Sequence, residues 1–233
     1  MNVVITGASK GMGKAIAEKF AEEGNTIFIC ARNEKELAAT AEELSAKYTN
    51  SKIFFIQADL TEKESVKKFA KWILQNCPQV DILVNNAGTF IPGSIYNEEE
   101  GTLEKMLAIN LFSAYNVTRG LVAKMIEKKT GHIFNMCSIA SLKAYENGGS
   151  YSISKFALMG FSKNLREELK PHNIKVTTVY PGAVYTSSWM GSGVAQTRIM
   201  EANDIAEMIL TSSKLSPQAC VEDIVIRPQL GDI

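Results

Sequence analysis

Short apolar runs rich in β-branched residues recur along the chain at positions 3–6, 26–30, 53–57, 82–85, 131–135, 175–180 and 221–226. They show little apolar/polar alternation, which marks strands buried on both faces. Longer amphipathic stretches lie between them. The first carries Ala15, Ile16, Ala17, Phe20 and Ala21 on its inner side and stops at Gly24, a natural residue just past a helix end. Further helices are predicted over 34–48, 98–129 with a break near Asn110, 150–170 before Pro171, and 203–212. Thr61-Glu62-Lys63-Glu64 reads as a capping box opening one more. Strands alternating with helices require right-handed crossovers. The pattern therefore predicts an α/β, doubly wound, seven-stranded parallel sheet with helices on both faces.

No repeat, low-complexity tract or linker divides residues 1–233, and 45% hydrophobic side chains can fill one substantial core, so a single domain is expected. Lys plus Arg and Asp plus Glu both number 25, for a net charge of 0. Such a chain has no long-range attraction for nucleic acid or an anionic membrane. The first strand begins too early for a leader peptide, and no stretch approaches the roughly 18 unbroken apolar residues of a membrane span. A cytoplasmic location is expected. Cys30, Cys77, Cys137 and Cys220 are scattered, which suggests neither a disulfide framework nor a zinc site. His132 and His172 have no partner at metal-ligand spacing, so capping or surface roles are expected and no metal is.

Two features change this picture. The turn Thr6-Gly7-Ala8-Ser9-Lys10-Gly11-Met12-Gly13 follows the first strand and opens a helix, where backbone N–H groups and the helix dipole can receive a pyrophosphate. Its spacing, Gly7-x-x-x-Gly11-x-Gly13, differs from the general G-x-G-x-x-G fingerprint. The second strand ends Ile29-Cys30-Ala31-Arg32-Asn33, without the carboxylate that would accept bonds from an adenosine ribose. Ala31 leaves room, and Arg32 with Lys10 can hold a 2′-phosphate; NADP(H) is the expected cofactor. The second feature is Ser138 followed by Tyr151 and Lys155. Four residues apart on a helix, tyrosine and lysine share a face, so the ammonium can lower the phenol's pKa from about 10. Taken singly, each is an ordinary cap or surface pair.

Together these residues resemble the short-chain dehydrogenase/reductase family from Val3 to about Thr186. Thr6 to Gly13 is similar to its T-G-x-x-x-G-x-G, with Gly7, Ser9, Lys10, Gly11, Met12 and Gly13 at the cofactor. Asp59 and Leu60 match the position beside adenine. Asn85-Asn86-Ala87-Gly88 resembles the family's N-N-A-G, which places Asn86, Ala87 and Gly88 near the cofactor. Pro181, Gly182, Val184 and Thr186 fall in the segment that holds the nicotinamide amide. Asn110, Ser138, Tyr151 and Lys155 match the catalytic tetrad. Met12 replaces a commoner isoleucine, and the ending Ile226 to Ile233 lacks the V-D-G-G of many bacterial members.

The resemblance implies a Rossmann-type fold and an NADP(H)-dependent oxidoreductase that exchanges a hydride with a ketone or aldehyde. Tyr151 would be general acid, Lys155 would lower its pKa and bind the ribose, Ser138 would donate to the substrate oxygen, and Asn110 would hold a relay water. Phe90, Ile139, Ala140, Tyr145, Ala183, Val184, Trp189 and Met190 form the expected apolar substrate side. Residues 187–200 make a short loop, with Gly191-Ser192-Gly193 suggesting mobility. The compact end is similar to sepiapterin-reductase-like and broad carbonyl-reducing members. A 3-oxoacyl thioester reductase and a non-catalytic NADP-binding sensor stay open as alternatives. The amphipathic faces of the fourth and fifth helices imply a homodimer or homotetramer.

Overall fold

A computed structural model describes residues 1–186, 189 and 193–233. Seven strands, β1 (Asn2–Thr6), β2 (Thr26–Ala31), β3 (Lys52–Gln57), β4 (Ile82–Asn85), β5 (Gly131–Met136), β6 (Ile174–Pro181) and β7 (Asp223–Ile226), form one sheet. All pairings are parallel, in the order β3-β2-β1-β4-β5-β6-β7. The helices are α1 (Gly11–Glu22), α2 (Glu34–Lys47), α3 (Lys63–Asn76), α4 (Thr102–Leu107), α5 (Ser113–Lys128), α6 (Gly149–Leu169) and α7 (Ala202–Ser213).

Side chains alternate across each strand, so neighbours build opposite layers. Val3, Ile5, Ile27 and Ile29 pack with Ile16 and Phe20 of α1, Leu37 and Leu44 of α2, and Ile205 and Ile209 of α7. Val4, Phe28, Leu83 and Ile133 face the other way, onto Phe69 and Ile73 of α3, Val117 and Leu121 of α5, and Leu165 of α6. Each fully buried side chain of this kind contributes roughly 1.5–3 kcal/mol. Strand order reverses between β1 and β4, which opens a crevice beyond their carboxyl ends.

Three expectations change. The Thr61 capping box does not form: the Thr61 backbone N–H and hydroxyl both donate to Asp59 Oδ1, at 2.9 and 2.7 Å, and α3 starts at Lys63 without a side-chain cap. The Asp59 carboxylate, two residues back, takes the N–H that Glu64 would accept in a capping box and turns the hydroxyl toward itself. The helix expected from residue 98 begins at Thr102, and its break is a π turn over Ala108–Phe112, with Asn110 inside it. His132 is neither a cap nor on the surface. It lies within β5 at 5% exposure, its Nε2 2.7 Å from Thr177 Oγ1 and its ring stacked on Phe134.

A buried polar ladder ties the middle of the fold together. Asn85 Nδ2 donates to Thr118 Oγ1 and Asn135 Oδ1, Asn135 Nδ2 to Ser162 Oγ, and Ser162 meets Thr178. Near the end of the chain, Arg198 donates to the carbonyls of Gly231, Leu230 and Asp232. No helix among the described residues is long and apolar enough to cross a membrane.

Candidate active site

The phosphate turn is built by close backbone approach. A Cβ at Gly13 would run into the Gly7 carbonyl oxygen and the Asn86 amide, so only glycine allows this crossing. Asn86 Nδ2 donates to the carbonyls of both Thr6 and Gly7 at 2.9 Å, and the Thr6 hydroxyl accepts the backbone N–H of Asn86 and Ala87 at 3.0 Å. Thus β4's end is sewn to β1's. Thr40 of α2 donates to Ser9 carbonyl at 2.8 Å, fixing the turn from its other side. At Lys10, the residue before α1, no side chain caps the helix. Its leading N–H groups face the turn with the positive end of the dipole, a donor set that fits a pyrophosphate.

Ala31 is buried at the end of β2 and Arg32 stands exposed beyond it. Lys10 Nζ lies 3.6 Å from Glu36 on the same edge. Burial works against the Asp59 carboxylate, yet the Thr61 donors and the nearby Arg32 charge hold its pKa below the usual range. Leu60 is buried, and Met12 is partly exposed and packs in part against the core. Pro181 and Val184 are buried, at the end of β6 and in a bridge to Met200. Thr186 lies beside Gly11: a Cβ there would come within 3.3 Å of its methyl group. Gly182 is packed against Pro228 and Asp232.

Tyr151 and Lys155 share a face of α6. Lys155 is 6% exposed; its Nζ donates to Met136 carbonyl at 2.8 Å and sits 5.8 Å from the centre of the Tyr151 ring. Burial pulls the Lys155 pKa down to about 8. Burial pushes the Tyr151 phenol up to about 12, against the lowering effect of a hydrogen bond with Ser138. Desolvation outweighs the Ser138 bond here, and the Lys155 ammonium is turned to the Met136 carbonyl. Ser138 Oγ also accepts Ala140 N–H at 3.1 Å.

Asn110 lies in the π turn, 1% exposed. Its Oδ1 accepts Thr89 N–H at 2.8 Å, and its Nδ2 donates to Thr89 carbonyl at 3.0 Å and Ser154 Oγ at 2.9 Å. The side chain thereby fixes the backbone after β4.

On the substrate side, Phe90 stacks edge-on against Tyr151 with ring centres 4.8 Å apart. Phe90 and Tyr145 are 48% and 45% exposed, and Ile139, Ala183 and Trp189 are partly exposed. Ala140 is not brought to the opening. It is 1% exposed and its carbonyl accepts the Ser152 hydroxyl. Met190 and the first two residues of Gly191-Ser192-Gly193 lie outside the described residues. Sequence reading missed Thr40 and Glu98 as supports of the site. Thr40 had a signal, a polar residue on the otherwise apolar Leu37–Ala41–Leu44 face of α2.

Comparison with known proteins agrees with this geometry. The family model described as short chain dehydrogenase matches residues 1–196. A sepiapterin reductase of Chlorobaculum tepidum is 30% identical over 239 residues, covering 99% of this chain and 97% of that one. An alcohol dehydrogenase from the archaeon Thermococcus sibiricus, solved with 5-hydroxy-NADP, superposes with a TM-score of 0.90 at 26% identity, covering 98% and 96%. L-sorbose reductase from Gluconobacter frateurii, solved with NADPH and L-sorbose, gives 0.87 at 27% identity, covering 97% and 94%. A glycine turn, an Asn-Asn-Ala-Gly crossing and a Ser-Tyr-Lys group on one crevice, matched along most of its length, make this chain an oxidoreductase of the short-chain dehydrogenase family.

Proposed function

We propose that the protein is an NADP(H)-dependent reductase of ketones and aldehydes, with Tyr151 as general acid. The observation that carries this reading is the half-buried Tyr151 meeting Ser138 beside the buried Lys155, whose Nζ lies 5.8 Å from the Tyr151 ring centre. The turn, Arg32 and Lys10 would hold the cofactor and its 2′-phosphate; two similar proteins were solved in complex with 5-hydroxy-NADP and with NADP. Bound there, the nicotinamide supplies the hydride.

This chain's residues do the rest. As negative charge grows on the substrate oxygen, the Tyr151 O–H delivers its proton. Ser138, hydrogen-bonded with the phenol, stands beside that oxygen and shares the charge. With its pKa at about 8, Lys155 is mainly cationic at neutral pH, and its charge stabilises the phenolate left behind. Phe90 covers one edge of the Tyr151 ring and excludes water from it.

Phe90, Ile139 and Tyr145 make an apolar, aromatic approach, which suits planar or bulky carbonyl compounds, pterin-like ketones among them. Exposed Phe112 and Tyr115 near the start of α5, with Ile153 and Phe156 on α6, support a homodimer or homotetramer. The test is NADPH oxidation with diketones, a pterin ketone, aromatic aldehydes and an acetoacetyl thioester, run beside Tyr151→Phe. Turnover of the first three, lost by orders of magnitude in Tyr151→Phe with NADPH binding kept, is expected. Preference for the thioester would favour a 3-oxoacyl reductase, and tight NADPH binding without any turnover would favour a sensor.

A further inference from the structure

The catalytic helix begins without a cap of its own. Gly148, the residue before α6, offers no side chain, and the leading N–H groups of the helix need acceptors from elsewhere. A carboxylate 52 residues away supplies them: Glu98 accepts Ser150 N–H at 3.3 Å on Oε2 and the Ser150 hydroxyl on Oε1. Two more bonds reinforce the junction. Gly93 N–H donates to Asn147 carbonyl at 3.1 Å, and Ser94 Oγ meets Asn147 Oδ1 at 2.7 Å. A Cβ on Gly149 would collide with the Gly93 carbonyl and come within 2.9 Å of Glu98 Oε2, so the two segments touch backbone to backbone. The negative charge also sits at the positive end of the helix dipole.

What Glu98 joins matters as much as how. The segment it belongs to starts at Thr89, gripped at both backbone groups by Asn110, and carries Phe90 against the Tyr151 ring. On the far side, Ser150 is the residue directly before Tyr151. The segment is thus pinned at one end by Asn110 and at the other by Glu98, with the Phe90–Tyr151 contact between.

We propose that Glu98 is a positioning residue: through Ser150 it holds the first turn of α6, and so the Tyr151 phenol, against Ser138 and Phe90. This rests on Tyr151 being the acid. Glu98 itself touches no reacting group.

The experiment compares wild type with Glu98→Gln, Glu98→Ala, Ser150→Ala and Glu98→Ala/Ser150→Ala in NADPH-dependent carbonyl reduction, with amide hydrogen exchange on the same samples. Loss of about an ångström of alignment is worth up to about 100-fold in rate, so Glu98→Ala should lower kcat by that order and leave the KM for NADPH unchanged. Glu98→Gln, which keeps one acceptor oxygen, should fall in between. The double variant should be no worse than Glu98→Ala alone, since both remove one link. With the Ser138 bond slackened, the basic limb of the kcat profile should move to higher pH. Amides of residues 149–155 should exchange faster in Glu98→Ala. If that variant does not fold, Ser150→Ala carries the same comparison.

Unchanged kcat and unchanged exchange in folded variants would overturn the proposal, as would a loss confined to thermal stability. Exchange needs no turnover. If wild type reduces none of the carbonyl compounds, the reductase reading fails, and exchange alone decides whether Glu98 holds Tyr151's helix.

Discussion

Lys155 lies over the ring of Tyr151 but gives its hydrogen bond to the Met136 carbonyl, 2.8 Å away. The cation is therefore stored beside the phenol in a dry site, and the cost of storing it shows in a pKa drawn down to about 8. A buried charge whose one hydrogen-bond partner among the described residues is a carbonyl is a liability to stability and an asset to chemistry.

Removing that charge should separate the two. Lys155→Met is expected to abolish carbonyl reduction and to stabilise the fold at pH 7 by about 2 kcal/mol. The native pKa lies below the unfolded value of 10.5, so between about 8 and 10.5 the unfolded chain binds more protons and wild-type stability rises with pH. The gap between variant and wild type should close across that window in urea titrations. A constant gap would mean that the lysine's charge is not what costs stability.

The 2′-phosphate assignment rests on Arg32 and Lys10. Arg32→Ala should raise the KM for NADPH roughly 10- to 100-fold, the worth of a hydrogen bond to a charged group, with NADH hardly affected. Ala31→Asp with Arg32→Ala should turn preference toward NADH. Glu36→Gln releases Lys10 from its neighbour and should modestly tighten NADPH. Equal NADPH/NADH ratios across the set would refute the assignment.

Gly13→Ala places a methyl against the Gly7 carbonyl. The turn must open, and NADPH binding, followed by quenching or transfer of protein fluorescence, should be lost while far-UV dichroism stays near wild type. Retained binding would show that the turn can relax.

His132 governs the acid side of stability. Thr177 Oγ1 gives its one proton to Val221 carbonyl, so it must accept from His132 Nε2–H, which leaves Nδ1 an acceptor without a partner among the described residues. Burial, with a smaller effect from Lys175, pushes the imidazole pKa down to about 3. Between that value and 6.5 the unfolded state binds the extra proton, so stability falls as pH drops, by up to roughly 1.4 kcal/mol per pH unit. His132→Gln should flatten this slope in denaturant titrations from pH 7 to pH 4; an unaltered slope would assign acid sensitivity elsewhere.

The five central strands were legible because burial on both faces writes an unbroken apolar run, the edge strands β3 and β7 because they keep β-branched and aromatic residues even where exposed, and the turn and the Tyr151–Lys155 pair because their spacing is local. Thr61 was misread for the same reason: a local pattern fits a capping box, while Asp59 takes the donors first. Glu98 left no trace, since its partner lies 52 residues away and nothing near Glu98 distinguishes it from the neighbouring Glu99 and Glu100. The pKa directions at Tyr151 and Lys155 depend on desolvation, which spacing does not report. His132 looked like a surface residue because a lone histidine at a strand's start gives no hint of the Thr177 hydroxyl waiting across the ladder.

The π turn at Ala108–Phe112 sets a phase. One residue more than a regular helix would hold rotates everything after it by about 100°, which is how α4 comes to pack on α6 while α5, from the same run of chain, packs on α3. At Leu111 and Phe112, length rather than side-chain identity is thus the guarded property. Leu111 and Phe112 are at least partly open to solvent and can be exchanged, but deleting either would swing Val117, Leu121 and Met125 out of their layer and carry Asn110 away from Thr89. Libraries that sample single-residue deletions should find a sharp gap at these two positions, which substitution scans would score as permissive.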